Sequence, residues 1–378
     1  MNFSVTAEPH SYVNCPLKMP IHIADLGYGE ATLVDERNNR IACQLFNDKG
    51  TDSVAWIEPN LSVGEKKSYR LDTSPAGSVT RVDIEDIGEE RLEVQIGGKL
   101  FTRYHYGDRW ARPFLYPFIG PKDIPVTRAY PKESDVEGEA TDHPHQKSVW
   151  TAYGKINNTD NWSEIGEHGY IRHRKFEEVT GGPIFGRIRA INSWVNYENA
   201  KQMEEVREFT IFNLESERIV DVRIKFIATD GDVCIGDTKE GGVLAVRVAT
   251  SMNESKGGLI TNAYGARTEA ETWGRPAAWV DYSGLVGGET MGITVMDHPS
   301  SFRHPTRWHV RSYGLFAANP FALRDYDPGL GISGDYTIPN GECISFCYRV
   351  YIHEGDAEQA QSRERYFGFV APPKIELT

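Results

Sequence analysis

Hydrophobic and polar residues alternate with a period of two along most of the chain, which is the pattern of β-strands that bury one face. The segment 202–213 shows this clearly, because its alternation separates two sets of side chains onto opposite faces. One face carries Val206, Glu208 and Thr210, and the other carries Glu205, Arg207, Phe209 and Ile211. Good helix formers dominate one segment, 357–369, which is the sole predicted helix. The pattern therefore predicts an all-β chain.

The strand-like segments fall into two predicted parts. Residues 1–75 contain short strands, one of them at 19–26, and form a small N-terminal β unit of Ig-like type or the first sheet of a larger sandwich. A Ser-Pro-Ala-Gly-Ser stretch at 74–78 is the predicted linker. Residues 79–378 form the predicted large β-sandwich domain. A dimer contact, a packing lid and an accessory sandwich all remain open as roles for the N-terminal unit.

Five prolines lie within residues 112–131. Proline lacks a backbone donor and breaks helices, so this density excludes a helix or a central strand. The segment is predicted to be an ordered, aromatic loop that walls a pocket.

Composition narrows the class of partner and the compartment. The formal net charge of −13 argues against nucleic acid or an anionic membrane as the main partner. No apolar run is long enough to span a membrane, and the N-terminus lacks the basic and apolar parts of a signal peptide. The five cysteines show no CxxC spacing and indicate reduced thiols in a cytoplasmic protein.

The densest candidate chemistry lies at residues 142–173, which contain four histidines. Pro144 is expected to keep His143 extended, and residues two apart in an extended segment point the same way, so His143 and His145 should share a face. Two imidazoles on one face can ligate a metal, transfer protons or bind a polyhydroxylated substrate. The plainer alternative is that both rings only hydrogen-bond loop carbonyls. The neighbouring Asp142 and Trp150 favour the functional interpretation.

A second candidate lies at residues 297–316. Alternation there places Arg307, His309 and Arg311 on one face, with Trp308 on the other. Such a cationic face in an acidic protein fits an anionic or hydroxyl-rich ligand, and it fits equally a solvated surface strand.

A divalent metal is compatible with the sequence, although nothing in it requires a cofactor. His143, His145, His309 and Glu164 would be a workable ligand set.

Several segments together resemble the bacterial family labelled "methane oxygenase PmoA". They are 112–131, 142–157, 238–249, 277–284 and 297–321. The label itself does not fit a chain without a membrane span, since the genuine methane monooxygenase subunit sits in a membrane. The resemblance implies carbohydrate catabolism and a large twisted β-sandwich of the galactose mutarotase type. Many members of that family carry a third histidine where this chain has Gln146.

These inferences lead to the hypothesis of a carbohydrate-active enzyme with a small-molecule carbohydrate as its partner. Hydrolysis, β-elimination and epimerisation of a glycoside or keto-sugar all remain open, as does a homo-oligomer. The alternatives are a non-catalytic carbohydrate-binding protein and a metal-dependent oxygenase or lyase. The predicted catalytic residues are His143, His145, Asp142, Glu164 and His309. The predicted substrate-binding residues are Arg112, Lys147, Trp150, Trp162, Arg207, Arg303, Trp308 and Arg311.

Overall fold

A computed structural model describes residues 1–21, 28–75, 77 and 79–378. Strands dominate these ranges. The first group is β1 (Asn2–Thr6), β2 (Tyr12–Pro20), β3 (Gly29–Asp35), β4 (Arg40–Asp48), β5 (Thr51–Leu61) and β6 (Lys66–Asp72). The second is β7 (Val82–Asp86), β8 (Arg91–Ile96), β9 (Lys99–His105), β10 (Phe114–Phe118), β11 (Val149–Tyr153), β12 (Tyr170–Thr180), β13 (Phe185–Val195), β14 (Lys201–Phe212) and β15 (Arg218–Ile227). The third is β16 (Val233–Ile235), β17 (Gly241–Arg247), β18 (Leu259–Asn262), β19 (Trp279–Val286), β20 (Glu289–Asp297), β21 (Trp308–Val310), β22 (Leu315–Ala318), β23 (Tyr336–Ile338), β24 (Cys343–Glu354) and β25 (Lys374–Leu377).

Helices are short in the described part of the chain. They are α1 (Thr268–Thr272), α2 (Leu323–Tyr326) and α3 (Ser362–Val370). The helix predicted at 357–369 therefore exists but begins later, and α1 and α2 are additional to it. The strand content confirms the all-β prediction.

The described strands form three large antiparallel sheets and one small pair. The first sheet has the order β2-β5-β4-β3-β6-β1-β25, so its last strand comes from the far end of the chain. The predicted strand at 19–26 continues beyond residue 21 into positions outside the described residues, and the predicted linker includes two such positions, 76 and 78. The division of the chain at residues 75–79 stays a prediction.

Two eight-stranded sheets pack face to face and form the predicted β-sandwich. The second sheet has the order β21-β22-β17-β11-β10-β9-β8-β7, and the third has the order β12-β13-β14-β15-β24-β20-β19-β18. Alternate side chains of both sheets build the main core, for example Val246 and Phe316 from the second and Val222 and Phe226 from the third. On β14 the face that carries Glu205, Arg207, Phe209 and Ile211 is the buried one.

Strand β10 corrects one prediction. The proline-rich segment contains a strand in the middle of the second sheet, between β9 and β11, although its prolines were expected to exclude one. The pairing of β10 with β9 shifts register between Leu115 and Phe118, and Pro117 lies at that irregularity. Because a bulge leaves a residue out of the ladder, the missing donor of Pro117 costs no hydrogen bond there.

None of the helices in the described residues is long and apolar enough to cross a membrane. All five cysteines are free thiols, and Cys15 and Cys43 are buried.

Candidate functional site

One row of paired residues crosses the outer face of the second sheet, the face opposite the main core. It runs from His309 on β21 through Ala317, Ala245, Trp150 and Phe114 to His105 on β9. Their strand neighbours Trp308 and Val246 face the core, as the two-residue period requires. The two alanines between the His309 imidazole and the Trp150 indole leave room above the sheet.

Arg128 fixes the loop that carries the Asp-His-Pro-His segment. Its fully buried guanidinium donates to the carbonyl oxygens of Asp142 (2.8 Å), His143 (2.9 Å) and Gln146 (3.0 Å). The backbone N–H of Gln146 donates to the backbone carbonyl of His143 at 3.0 Å and closes a tight turn. His143 has a φ of 44°, so the predicted extended conformation is wrong. The carbonyls reach one arginine only because the chain folds back at this point.

Asp142 and His143 form a pair at the edge of this turn. Asp142 Oδ2 lies 3.1 Å from His143 Nδ1, while Asp142 Oδ1 accepts hydrogen bonds from Arg128 (2.6 Å) and Arg247 (2.7 Å). Partial burial raises the pKa of Asp142, but Arg247 and His143 outweigh burial and lower it below its usual value. The His143 ring stacks on Tyr313, with centroids 4.9 Å apart and planes 7° apart.

A buried ion cluster lies beside His145. Glu164 Oε1 is 2.8 Å from Arg112 Nη1 and also accepts a hydrogen bond from Lys147. Arg112 donates to the His145 carbonyl at 3.2 Å. Burial, followed by the charge of Arg112, lowers the pKa of His145 to about 4 and that of Lys147 to about 8. The His145 imidazole is therefore uncharged near neutral pH.

His309 is the most deeply placed of the three imidazoles, with 3 % of its surface exposed. Burial, together with Arg311 and Lys239, lowers its pKa to about 3. Its Nδ1 atom has no hydrogen-bond partner in the described part of the chain. The Trp162 ring lies between the two buried histidines, 6.4 Å from His309 and 5.7 Å from His145 between centroids.

A cleft of about 510 Å³ opens at the His309 end of this row, and we call it the histidine cleft. Five predicted residues line it: His143, His145, Trp162, His309 and Arg311. Eight others that were not predicted as site residues also line it: Gln146, Gly154, Asp160, Ser163, Thr238, Lys239, Glu240 and Tyr313.

Gly154 is a sequence signal for the part of the cleft lining formed by Lys239 and Glu240. Gly154 donates its amide hydrogen to the Glu240 carbonyl at 2.7 Å, and a Cβ at position 154 would lie only 2.5 Å from that oxygen. A glycine directly after a buried strand marks such a close backbone approach.

Several predicted catalytic and substrate-binding residues lie near the histidine cleft without lining it. Glu164, Arg112 and Lys147 form the ion cluster beside His145, and Trp150 lies in the row on the sheet. Asp142 is partly exposed and pairs with His143 at the mouth of the cleft.

Three predicted substrate ligands lie outside the histidine cleft. Arg207 is buried and paired with Glu205, and Arg303 donates to the carbonyls of Pro320 and Gly334. Trp308 is buried in the main core, on the opposite face of its strand from His309. Alternation places Arg207 and its partner Glu205 on one face of β14, but it does not tell whether that face meets the core or a cleft. The partners of Arg303 are distant in sequence, so no local pattern could locate that side chain.

The predicted metal ligands do not meet around one point. In the ranges that the structure describes, no group of three or more His, Cys, Asp or Glu side chains is arranged to hold a metal ion.

The sequence of residues 91–366 matches the model of a family of unknown function, DUF6807. The chain belongs to the DUF6807 family. The predicted membership of the family labelled methane oxygenase PmoA is therefore wrong, since the matching model is a different one. No curated protein matches the chain.

Solved structures of similar fold come from larger proteins. A glycosyl hydrolase family 38 protein and an alpha-mannosidase, both from Enterococcus faecalis, are each 11 % identical with TM-scores of 0.40 and 0.39. They cover all of this chain, which spans 47 % and 46 % of theirs. An alpha-galactosidase from Lactobacillus brevis is 8 % identical with a TM-score of 0.33 and covers 76 % of this chain, which spans 41 % of it. The chain thus spans about half the length of these proteins or less, and similarity at this level does not transfer an activity.

Proposed function

We propose that the chain is a carbohydrate-active enzyme that transfers a proton to or from a sugar or glycoside in the histidine cleft. The pairing of Asp142 with His143 at the mouth of the cleft is the observation that carries this proposal. A carboxylate that accepts from Nδ1–H fixes the imidazole tautomer and leaves Nε2 free to take a proton. Two arginines hold the Asp142 carboxylate in place for that task.

The rest of the cleft suits a polyhydroxylated substrate. His145 and His309 are uncharged near neutral pH, so each imidazole can accept a hydrogen bond from a substrate hydroxyl group. Trp162 and Tyr313 add apolar ring atoms to the lining, which can pack against the C–H groups of a sugar. Arg311 adds donors for substrate oxygens.

The three candidate reactions share a proton-transfer step, which the imidazoles of the cleft can perform. Hydrolysis, β-elimination from a keto-glycoside and epimerisation each begin with removal or delivery of a proton at an O–H or C–H group. All three remain within the proposal, and a substrate screen separates them.

The test is turnover of plain and keto glycosides by the wild-type chain and by three variants. His143→Ala should lower kcat/KM by about 10²–10⁴-fold because it removes the proposed base. Asp142→Asn should also lower kcat/KM, with a changed pH profile, because the amide cannot orient the imidazole in the same way. His10→Ala, on a histidine outside the cleft, is the control and should leave kcat/KM unchanged.

Two outcomes contradict the proposal. Full turnover by the His143→Ala variant removes the proposed base from the reaction. Sugar binding without turnover by the wild type, weakened in the double variant His143→Ala/His145→Ala, would identify a non-catalytic carbohydrate-binding protein instead.

A further inference from the structure

A second cleft, of about 570 Å³, lies between the first sheet and the outer face of the third sheet. Strand alternation creates its floor. On β15 the side chains of Val222, Ile224 and Phe226 enter the main core, so Arg223 and Lys225 point the opposite way. We call this space the arginine cleft. It lies on the opposite side of the sandwich from the histidine cleft.

The walls of the arginine cleft are positively charged, although the protein as a whole is acidic. Among the described residues, three carboxylates line it: Asp48, Glu208 and Asp221. Six basic side chains also line it: Lys18, Lys49, Arg187, Arg223, Lys225 and Arg349. An excess of three positive charges in a protein with a net charge of −13 favours an anion at this place.

Each of the three carboxylates is already paired with another cation. Asp221 accepts two hydrogen bonds from Arg349, at 2.6 Å and 3.0 Å. Glu208 accepts from Arg189 Nε at 2.7 Å.

Asp48 lies 2.5 Å from Lys18 Nζ and 3.7 Å from Arg187 Nη1. The acidic groups are thus engaged by their own partners, and the excess positive charge has to be located elsewhere.

Arg223 and Lys225 carry most of that excess. In the part of the chain that the structure describes, neither side chain has a hydrogen bond or a salt bridge within 4.0 Å. Arg223 lies within electrostatic range of Glu208 and Asp221 without contacting either. A guanidinium has five donors in a planar fork that matches carboxylate and phosphate oxygens, so an open Arg223 is well suited to an oxyanion.

An apolar wall adjoins these cations. Phe46 and Phe185 contact each other edge to face, with centroids 5.0 Å apart, and the Arg187 guanidinium lies over both rings. Arg349 lies over the Phe369 ring, 4.5 Å from its centroid. A ligand at this place would meet both fixed charges and ring faces.

We propose that the arginine cleft binds a small organic anion, with a phosphate or carboxylate group on Arg223 and its uncharged body against the phenylalanine rings. This site is separate from the histidine cleft, and its existence does not depend on the function proposed there. The cleft volume fits a ligand of the size of a sugar phosphate or a sugar acid.

The experiment is isothermal titration calorimetry of the full chain in low-salt buffer. The probes are inorganic phosphate, glucose 6-phosphate and glucuronate, with glucose as the uncharged control. Saturable binding of at least one anion is expected, and glucose should give none. Arg223→Gln should weaken that binding about tenfold or more, because a hydrogen-bonded charge pair is lost. Arg223→Lys should keep part of the affinity.

Arg70→Gln is the matched control, because Arg70 is an exposed arginine on β6 outside the cleft, and it should not change the affinity. Among the residues that the structure describes, Arg223 has no hydrogen-bond or ion-pair partner, so its replacement should leave thermal unfolding without anion close to wild type. Absence of saturable binding for every anion overturns the proposal, as does equal affinity in the Arg223→Gln variant. Binding of phosphates alone or of glucuronate alone identifies which oxyanion the site takes.

Discussion

His309 lies under Trp162 on the outer face of the second sheet, where a protonated imidazole would have to lose its hydration. Arg311 and Lys239 add positive charge nearby, and the result is a base that stays neutral well below the usual histidine range. His145 is placed in the same way, beside Arg112. Neutral imidazoles can accept hydrogen bonds from a ligand, but their lowered pKa values make the stability of the fold depend on pH.

We expect the fold to lose stability in mild acid because of these two rings. In the unfolded chain a histidine has a pKa of about 6.5 and binds a proton more readily than His309 or His145 does in the folded state. The free energy of unfolding should therefore fall as the pH drops from about 6.5 towards about 4, by up to about 1.4 kcal/mol per pH unit for each ring.

His309→Asn should reduce this pH dependence, since asparagine does not titrate. Urea unfolding at several pH values measures it, with the wild type and the variant side by side. An identical pH slope in both proteins would show that His309 is protonated equally in the folded and unfolded states.

Local sequence was enough to select several cleft residues and not enough to place the arginines. His143 and His145 are close in sequence, and a short loop brings both to one cleft whatever its conformation. Tyr313 and Lys239 come close to them only through the pairing of β17 with β11 and β22, which no short segment encodes.

At the scale of elements, the turn at 142–146 shows how one buried side chain sets a backbone path. The Asp-His-Pro-His segment has no strand partner, so its carbonyls need donors from elsewhere. Arg128 supplies them, while burial and the nearby Arg247 lower its pKa to about 10. Proline chemistry alone predicted an extended segment, because it contains no information about a distant arginine.

Replacing Arg128 with lysine should loosen this turn. An ammonium group cannot reach all three carbonyls that the guanidinium now satisfies, and each buried acceptor left without a donor costs about 1–3 kcal/mol. We expect a lower free energy of unfolding and faster amide hydrogen exchange at residues 140–146. Arg81→Lys is the control, since Arg81 makes only exposed ion pairs. Unchanged exchange in the Arg128→Lys variant would mean that the turn holds without it.

At the scale of the molecule, the two ends of the chain meet in one sheet. Strand β25 pairs with β1, with Val5 opposite Ile375 and Phe3 opposite Leu377, and Ile375 packs against the core of the first sheet. The sequence of residues 1–75 predicted a β unit, which the strands β1 to β6 confirm, but it did not predict β25 as a partner. A strand pairing between distant segments leaves no pattern in either segment alone.

A chain ending at Pro372 tests the contribution of β25. Its removal exposes the edge of β1 and takes away four cross-strand pairs, each contributing about 0.2–1 kcal/mol. We expect a lower unfolding midpoint and faster proteolysis of the first sheet. Removal of Thr378 alone is the control, since it takes away only the Thr378 N–H to Asn2 carbonyl bond and none of the four pairs, and it should change the midpoint much less. A shortened chain with the unfolding midpoint of the full chain would show that β25 adds nothing to the stability of that sheet.

The two clefts lie on opposite outer faces of one double-sheet core, and this has a consequence for sequence change. Side chains at the histidine cleft and at the arginine cleft share no partners, so substitutions in one should have effects that add to those in the other. Side chains in the core between the two sheets have to fit each other. The outward-facing side chains of one sheet can change without any change in those of the other sheet. A lineage that keeps this core is therefore free to exchange the chemistry of one side and inherit the other side intact.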